Sequence, residues 1–219
     1  SEMCIRDRDI QFASKEVSRD MSNPTQGSLK KMHRLARYLK QHPRTILYYE
    51  HQDIPNKLDI FSDSNWAGCL RTRKSTQGGG CMLGQHCVKT WSSTQAIVAL
   101  SSGEAEFYGV VKAGSVGLGL RAMLRDMNVD VSIRVHTDAE AAKGIASRTG
   151  LGKTRHIAVH FLWIQERVRD GSFELKKVRG TSNPADLLTK HLSQQDMNRY
   201  MDTFNIRFED GRAEATPHV

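Results

Sequence analysis

Between residues 29 and 39 the apolar positions Leu29, Met32, Leu35, Ala36 and Leu39 recur at three- and four-residue steps, which predicts a helix. Lys30, Lys31, Arg34, Arg37 and Lys40 lie elsewhere around it, the turn cluster Ser22-Asn23-Pro24-Thr25 precedes it, and Pro43 stops it. Ile46 to Tyr49 reads as a short strand, and 51–56, with Pro55, as a linker. The pattern then changes. Residues 58–63 form an apolar strand ending on a carboxylate, and Gly79 to Leu83 and Cys87 to Trp91 form two more strands around the turn Gly84-Gln85. Ser101-Ser102-Gly103-Glu104 has capping-box spacing and opens a long helix running to about Met127, whose glycines fit close packing against a sheet. Val131, Ile133 and Val135 alternate into a fourth strand ending at His136-Thr137-Asp138. Short helices over about 139–147 and 155–169, a fifth strand from Phe173 to Val178, and a last helix capped by Asn183 with Pro184 at its first position complete the order. A mixed five-stranded sheet flanked by helices follows, an α/β fold. Residues 1–13 show no period and read as a leader or fragment edge, and the polar stretch after about Phe204 reads as a loose tail.

Composition adds bounds. The 219 residues suffice for one domain with extensions, and no apolar run reaches membrane length or resembles a secretion leader. The expected partition is a leader and helical segment over 1–56, the sheet domain over 57–192, and a helix end with polar tail over 193–219. A net charge of +8 favours polyanionic partners. The four cysteines contain no paired CxxC, so free thiols in a reducing compartment are expected, and Cys81, His86 and Cys87 match no common zinc spacing.

The chemistry points to carboxylates. Stepping by four and three from Glu106 meets Val110, Ala113, Gly117, Leu120, Leu124 and Met127, an apolar or small stripe that faces the sheet. Glu104 is turned about 200° away from that stripe. A carboxylate at the head of a buried face needs a compensating cation. Asp63 and Asp138 end strands, and Asp186 stands in a first helical turn. Each has an ordinary reading, as turn residue, cap or dipole partner. Together they form a candidate oxygen-ligand site for Mg²⁺, or Mn²⁺ in its place, and two such ions about 4 Å apart cleave phosphodiesters.

The motifs DSNWAG (63–68), TRKSTQG (72–78), KTWSSTQ (89–95), SSGEAEFYG (101–109), VHTDAEAAKGIA (135–146), KTRHI (153–157) and NPADLLTKHL (183–192) occur in this order. Over about 57–192 the chain resembles the ribonuclease H domain of the Pol polyprotein of copia-type LTR retrotransposons, and residues 17–43 resemble the segment that follows the reverse-transcriptase palm. The resemblance implies an RNase H-like fold, metal ligation by Asp63, Glu106, Asp138 and Asp186, two Mg²⁺ ions, and the RNA strand of an RNA–DNA hybrid as substrate. It also implies the reverse-transcriptase portion of the same polyprotein as partner, and a cytoplasmic virus-like particle with a nuclear phase as location. The polymerase's own aspartates are not in this chain. Cellular and many retroviral ribonucleases of this kind place a histidine in the loop after the fifth strand, about where this chain has Thr181.

Arg71, Arg73, Lys74, Lys153, Arg155 and His156 are candidate contacts to the hybrid backbone. His156 and His160 stand four apart on the expected helix, without a third metal ligand. Trp66 and Trp91 read as core residues rather than base platforms. Gly152-Lys153-Thr154 lacks the earlier glycine of a phosphate loop. An integrase would use Asp138 with Glu174, but Glu174 falls in a strand and Asp186 would have no role. A catalytically silent binding or connection module of the same fold is the remaining alternative.

Overall fold

A computed structural model describes residues 8–152 and 155–211. Helices α1 (Gln11–Ser18) and α2 (Gln26–Gln41) are followed by strands β1 (Thr45–Leu47), β2 (Lys57–Asn65), β3 (Thr76–Leu83) and β4 (His86–Thr94). Then come α3 (Ser102–Asp126), β5 (Ser132–Thr137), α4 (Glu140–Ser147), a 3₁₀ turn at Val159–Phe161, α5 (Trp163–Arg169) and β6 (Phe173–Lys177). Two further 3₁₀ segments, Gly180–Ser182 and Pro184–Leu188, lead to α6 (Gln194–Thr203) and β7 (Ile206–Phe208).

Among the described residues the main sheet has five strands in the order β4-β3-β2-β5-β6. β3 runs antiparallel to both neighbours, while β2, β5 and β6 are mutually parallel. This is the RNase H-like arrangement that the resemblance implies, reached from the chain's own hydrogen-bond register. Side chains alternate across β2: Leu58 and Ile60 are fully buried in the core under α3 with Val110, Ala113 and Ile133. The opposite face carries a second core of Met82, Leu187, Leu188, Tyr200, Met201, Phe204 and Ile206. Cys81 belongs to the first core and Cys87 to the second, and both thiols are free.

The apolar stripe of α3 faces the sheet through Gly117, and Met127 at its end is exposed. Close approach explains the glycines at 109 and 117. A Cβ on Gly117 would stand 2.5 Å from Ile60, and one on Gly109 2.8 Å from the Ser64 hydroxyl. Gly119 has open space around it and no such role.

Several sequence expectations change. The expected helix over 155–169 starts only at Trp163, because Ile157 is drawn into the main core and His156 is tied to Glu104, which holds the chain non-helical there. His156 and His160 therefore share no helix face. The last helix is two elements: Asn183 caps a five-residue 3₁₀ segment, and Ser193 starts α6 separately. The stretch after Phe204 is not a loose tail through residue 208, since β7 pairs antiparallel with β1 and buries Ile206. Trp91 is buried as expected, but Trp66 is 46% exposed and donates its indole N–H to Ala99 O at 3.0 Å. The face expected to be apolar on α2 is also largely open, with Leu29 and Met32 both exposed.

Candidate active site

The carboxylates meet at the C-terminal ends of the parallel strands β2 and β5. Asp63 lies two residues before the end of β2 and is 1% exposed. Its Oδ2 accepts from the Thr189 hydroxyl, and its Oδ1 lies 3.2 Å from Lys190 Nζ. Glu106 enters from the start of α3, where Oε1 accepts the backbone N–H of Ser64 at 3.0 Å. The cleared contact at Gly109, one turn further along α3, lets the helix come this near to Ser62 and Ser64. Asp138 directly follows β5, and the loop after β6 passes beside it: a Cβ on Gly180 would be 3.1 Å from Asp138 Oδ2.

Ligand atoms of Asp63, Glu106 and Asp138 all lie within 4.8 Å of one another. Asp186 stands at the edge of this group, with its Oδ1 turned to Lys190 Nζ at 2.7 Å. The 3₁₀ segment that carries it is pinned to the sheet by Asn183, which donates Nδ2 to Ser62 O at 3.0 Å and caps the segment through Oδ1. Thr181, in the loop after β6, offers its carbonyl to the Tyr200 hydroxyl at 3.3 Å.

Charge crowding shows in the protonation equilibria. Burial, then Asp63 and Asp138, push the Glu106 carboxyl up to about 9. Burial and Asp63 push Asp186 up to about 6 against the pull of Lys190, and raise Asp138 in the same direction. Burial alone would lower the Lys190 ammonium, but Asp63 and Asp186 outweigh it and raise it.

The residues present fit a hard divalent cation. Glu106 Oε2 is buried with no hydrogen-bond partner among the described residues, and Glu106 itself is only 8% exposed. A buried, unpaired carboxylate oxygen beside two more carboxylates is unfavourable unless a cation meets it. The donors are all oxygen, which suits Mg²⁺ or Mn²⁺ over zinc.

The basic candidates divide. Arg71 and Arg73 are exposed and Lys74 is half-buried, on the turn that leaves β2 just past Asp63. Arg155 is exposed. Lys153 lies outside the described residues. His156 is 43% exposed and anchored, its Nε2 being 2.8 Å from Glu104 Oε2. Glu174 is exposed on β6 and pairs with Lys176, away from the carboxylate group, so the integrase pairing with Asp138 has no geometric support.

Sequence reasoning missed three groups. Glu104 does not face solvent. It accepts from Tyr108 Oη at 2.7 Å and from Leu100 N at 2.9 Å, because 155–161 covers the side of α3 opposite the sheet. These bonds outweigh burial and hold its carboxyl below the usual range. Thr189 and Lys190 were visible only as neighbours of Asp186. The four-residue step from Asp186 to Lys190 is the signal that could have found the second.

No protein-family model matches the chain. It is 30% identical over 190 residues to the retrovirus-related Pol polyprotein from transposon TNT 1-94 of Nicotiana tabacum, which covers 86% of this chain and 14% of that polyprotein. It is 26% identical over 201 residues to the retrovirus-related Pol polyprotein from transposon RE1 of Arabidopsis thaliana, covering 90% of this chain and 14% of the relative. Among solved structures, the N-terminal RNase H domain of rv2228c from Mycobacterium tuberculosis is 16% identical, covers 69% of this chain and 99% of that one, and has a TM-score of 0.43. At that level of similarity the fold rests on the strand order described above. The chain's homologues are thus retrovirus-related Pol polyproteins of plant transposons, matched over 86–90% of this chain, and the chain spans about 14% of their length.

Proposed function

We propose that this chain is the ribonuclease H portion of such a polyprotein, hydrolysing the RNA strand of RNA–DNA hybrids during reverse transcription. The observation that carries the reading is the convergence of Asp63, Glu106 and Asp138 within 4.8 Å around the unpaired Glu106 Oε2. These three carboxylates, with Asp186, would hold two Mg²⁺ ions, Mn²⁺ serving in their place. When bound, the ions supply a Lewis acid for the phosphodiester and an activated water to attack it.

The protein's part is to hold charge in place. Thr189 and Ser64 orient Asp63 and Glu106 from opposite sides, and Asn183 fixes the segment that bears Asp186. Arg71, Arg73 and Lys74 extend from the same end of the sheet and would meet the hybrid's phosphates, with Arg155, His156 and Lys153 as a second group. Such contacts position a duplex without reading its sequence. The partner within the polyprotein would be the reverse-transcriptase portion, and the setting a cytoplasmic particle with a nuclear phase. Among the described residues, no helix is long and apolar enough to cross a membrane.

The deciding assay is cleavage of a labelled RNA–DNA hybrid with Mg²⁺ or Mn²⁺, comparing wild type with Asp63→Asn and Asp138→Asn. RNA cut by wild type and spared by both variants is expected. A folded wild type that binds the hybrid without cutting it would support the silent module instead, and one that neither binds nor cuts would end the assignment.

A further inference from the structure

Two glutamines are buried among the described residues, Gln95 at 3% exposure and Gln165 at 8%. They are built differently. Gln165 is saturated: Nε2 donates to Ile145 O at 2.9 Å and to Gly150 O at 3.0 Å, and Oε1 accepts from Gly150 N at 3.0 Å. It ties α5 to the end of α4 and the loop after it, as a core amide usually does. Gln95 instead leaves its Oε1 buried without a hydrogen-bond partner among the described residues. A buried acceptor left unpaired is unfavourable. Stability alone therefore does not account for an amide at this position.

The amide nitrogen has a different setting. Gln95 Nε2 donates to Ala105 O at 2.7 Å and to Ser64 Oγ at 3.3 Å. Ala105 precedes Glu106, and Ser64 follows Asp63. One amide thus joins the end of β2 to the start of α3, a single residue away from each carboxylate. The bond from Ser64 N to Glu106 Oε1 closes the same junction. The backbone of Gln95 is itself fixed, its N–H donating to Ser75 O at 2.9 Å, and the fully buried Ser75 holds Ala67 N through its hydroxyl at 3.1 Å. Turning the amide over would set Oε1 against the Ala105 carbonyl, two acceptors face to face, so its orientation is unique. The brace has a load to bear. Asp63 and Asp138 both oppose charge on Glu106, and without a cation that repulsion acts to part α3 from β2. A neutral donor resists the parting without competing with an ion for the carboxylates.

We propose that Gln95 is a positioning residue that holds Glu106 against Asp63, so that these carboxylates are already spaced for a divalent ion before one arrives. This rests on the metal-site reading of the preceding subsection. A Mg²⁺ ion demands its oxygens at about 2.0–2.1 Å and tolerates little deviation, and ligands held ready bind it more tightly than ligands that must first be drawn together. Methionine fills nearly the same space as glutamine without the donor. Asparagine keeps the amide but falls one methylene, about 1.5 Å, short of the two acceptors.

The test is a Mn²⁺ titration of the whole 219-residue chain without nucleic acid, with free Mn²⁺ read by electron paramagnetic resonance. Wild type, Gln95→Met, Gln95→Asn, Ser64→Ala and the matched control Gln165→Met are compared, and circular dichroism identifies the folded variants. Gln165→Met is expected to lower the urea midpoint and leave Mn²⁺ affinity within twofold of wild type. Gln95→Met and Gln95→Asn are expected to weaken Mn²⁺ at least tenfold, and Ser64→Ala, which removes one of the two acceptors, at least threefold. In hybrid cleavage the Mn²⁺ concentration for half-maximal rate should rise in parallel, with KM for the hybrid within twofold of wild type. Mn²⁺ affinity within twofold of wild type in whichever Gln95 and Ser64 variants fold overturns the proposal. Equal weakening in Gln165→Met also overturns it, by reducing the effect to a general loosening of the core. If wild type binds no Mn²⁺ at all, the metal-site reading itself falls and takes this inference with it.

Discussion

Gly78 is the direct cross-strand partner of Asp63, and the space its missing side chain leaves is occupied by the residues that hold Asp63 in place. A Cβ on Gly78 would stand 2.7 Å from both Leu188 Cβ and Thr189 Cγ2, and 2.9 Å from the Leu188 carbonyl. Backbone and buried side chains cannot yield there without moving the 3₁₀ segment. That segment carries Asp186, and Thr189 and Lys190 follow it immediately. Gly78→Ala should cost about 1–3 kcal/mol by overpacking and lower hybrid cleavage at least tenfold. Urea denaturation and the cleavage assay check the two effects separately, and wild-type cleavage by the variant would show that the segment need not seat so closely.

The stability of the metal-free protein should fall as pH rises. Glu106, pushed from 4.5 up to about 9, and Asp186, pushed from 3.8 up to about 6, hold protons in the folded state that the unfolded chain releases. Their contribution is complete below their unfolded values and is lost as pH climbs through the folded ones. Between pH 5 and pH 9 in a chelator, the urea midpoint should decline. Glu106→Gln should flatten most of that decline. Adding Mg²⁺ near pH 8 should restore stability to wild type and much less to the variant.

Glu104 and Glu106, separated by Ala105 in the same motif, should respond oppositely to the same substitution. Glu104→Gln weakens bonds from Tyr108, Leu100 and His156 to a buried carboxylate and should destabilise by about 1–3 kcal/mol while Mn²⁺ still binds. Glu106→Gln removes a crowded charge, so it should leave metal-free stability equal or higher and abolish tight Mn²⁺ binding. Melting curves and a metal titration on both variants make the comparison. Loss of binding in both would make Glu104 part of the metal site.

Deleting residues 206–219 should damage the second core. Ile206 is 1% exposed and packs with the fully buried Phe204, and the deletion also strips β1 of its partner. Removing a buried residue of this size costs about 2–5 kcal/mol. A shortened chain with unchanged urea midpoint would show that β1 and β7 contribute nothing to stability.

The periodicities of this chain determined most of its elements. Alternation at Leu58 and Ile60, and at Ile133 and Val135, set which face of each strand is buried and left Asp63 and Asp138 at the strand ends. The stripe beginning at Glu106 set which side of α3 meets the sheet, because a helix presents every third or fourth residue to one neighbour. The same logic set Glu104 off that stripe but left open what covers it. A stripe reports a single covered face, whereas 155–161, folding back from fifty residues away in sequence, covers the other face too. Only the tertiary structure brought Lys190 between Asp63 and Asp186, paired 206–208 with 45–47, and kept 155–158 out of a helix. Local patterns record which positions are apolar and where turns are favoured. Which distant atom satisfies a buried carboxylate is decided by packing, once the sheet and the glycine notches at 78 and 109 have brought remote segments within hydrogen-bonding reach.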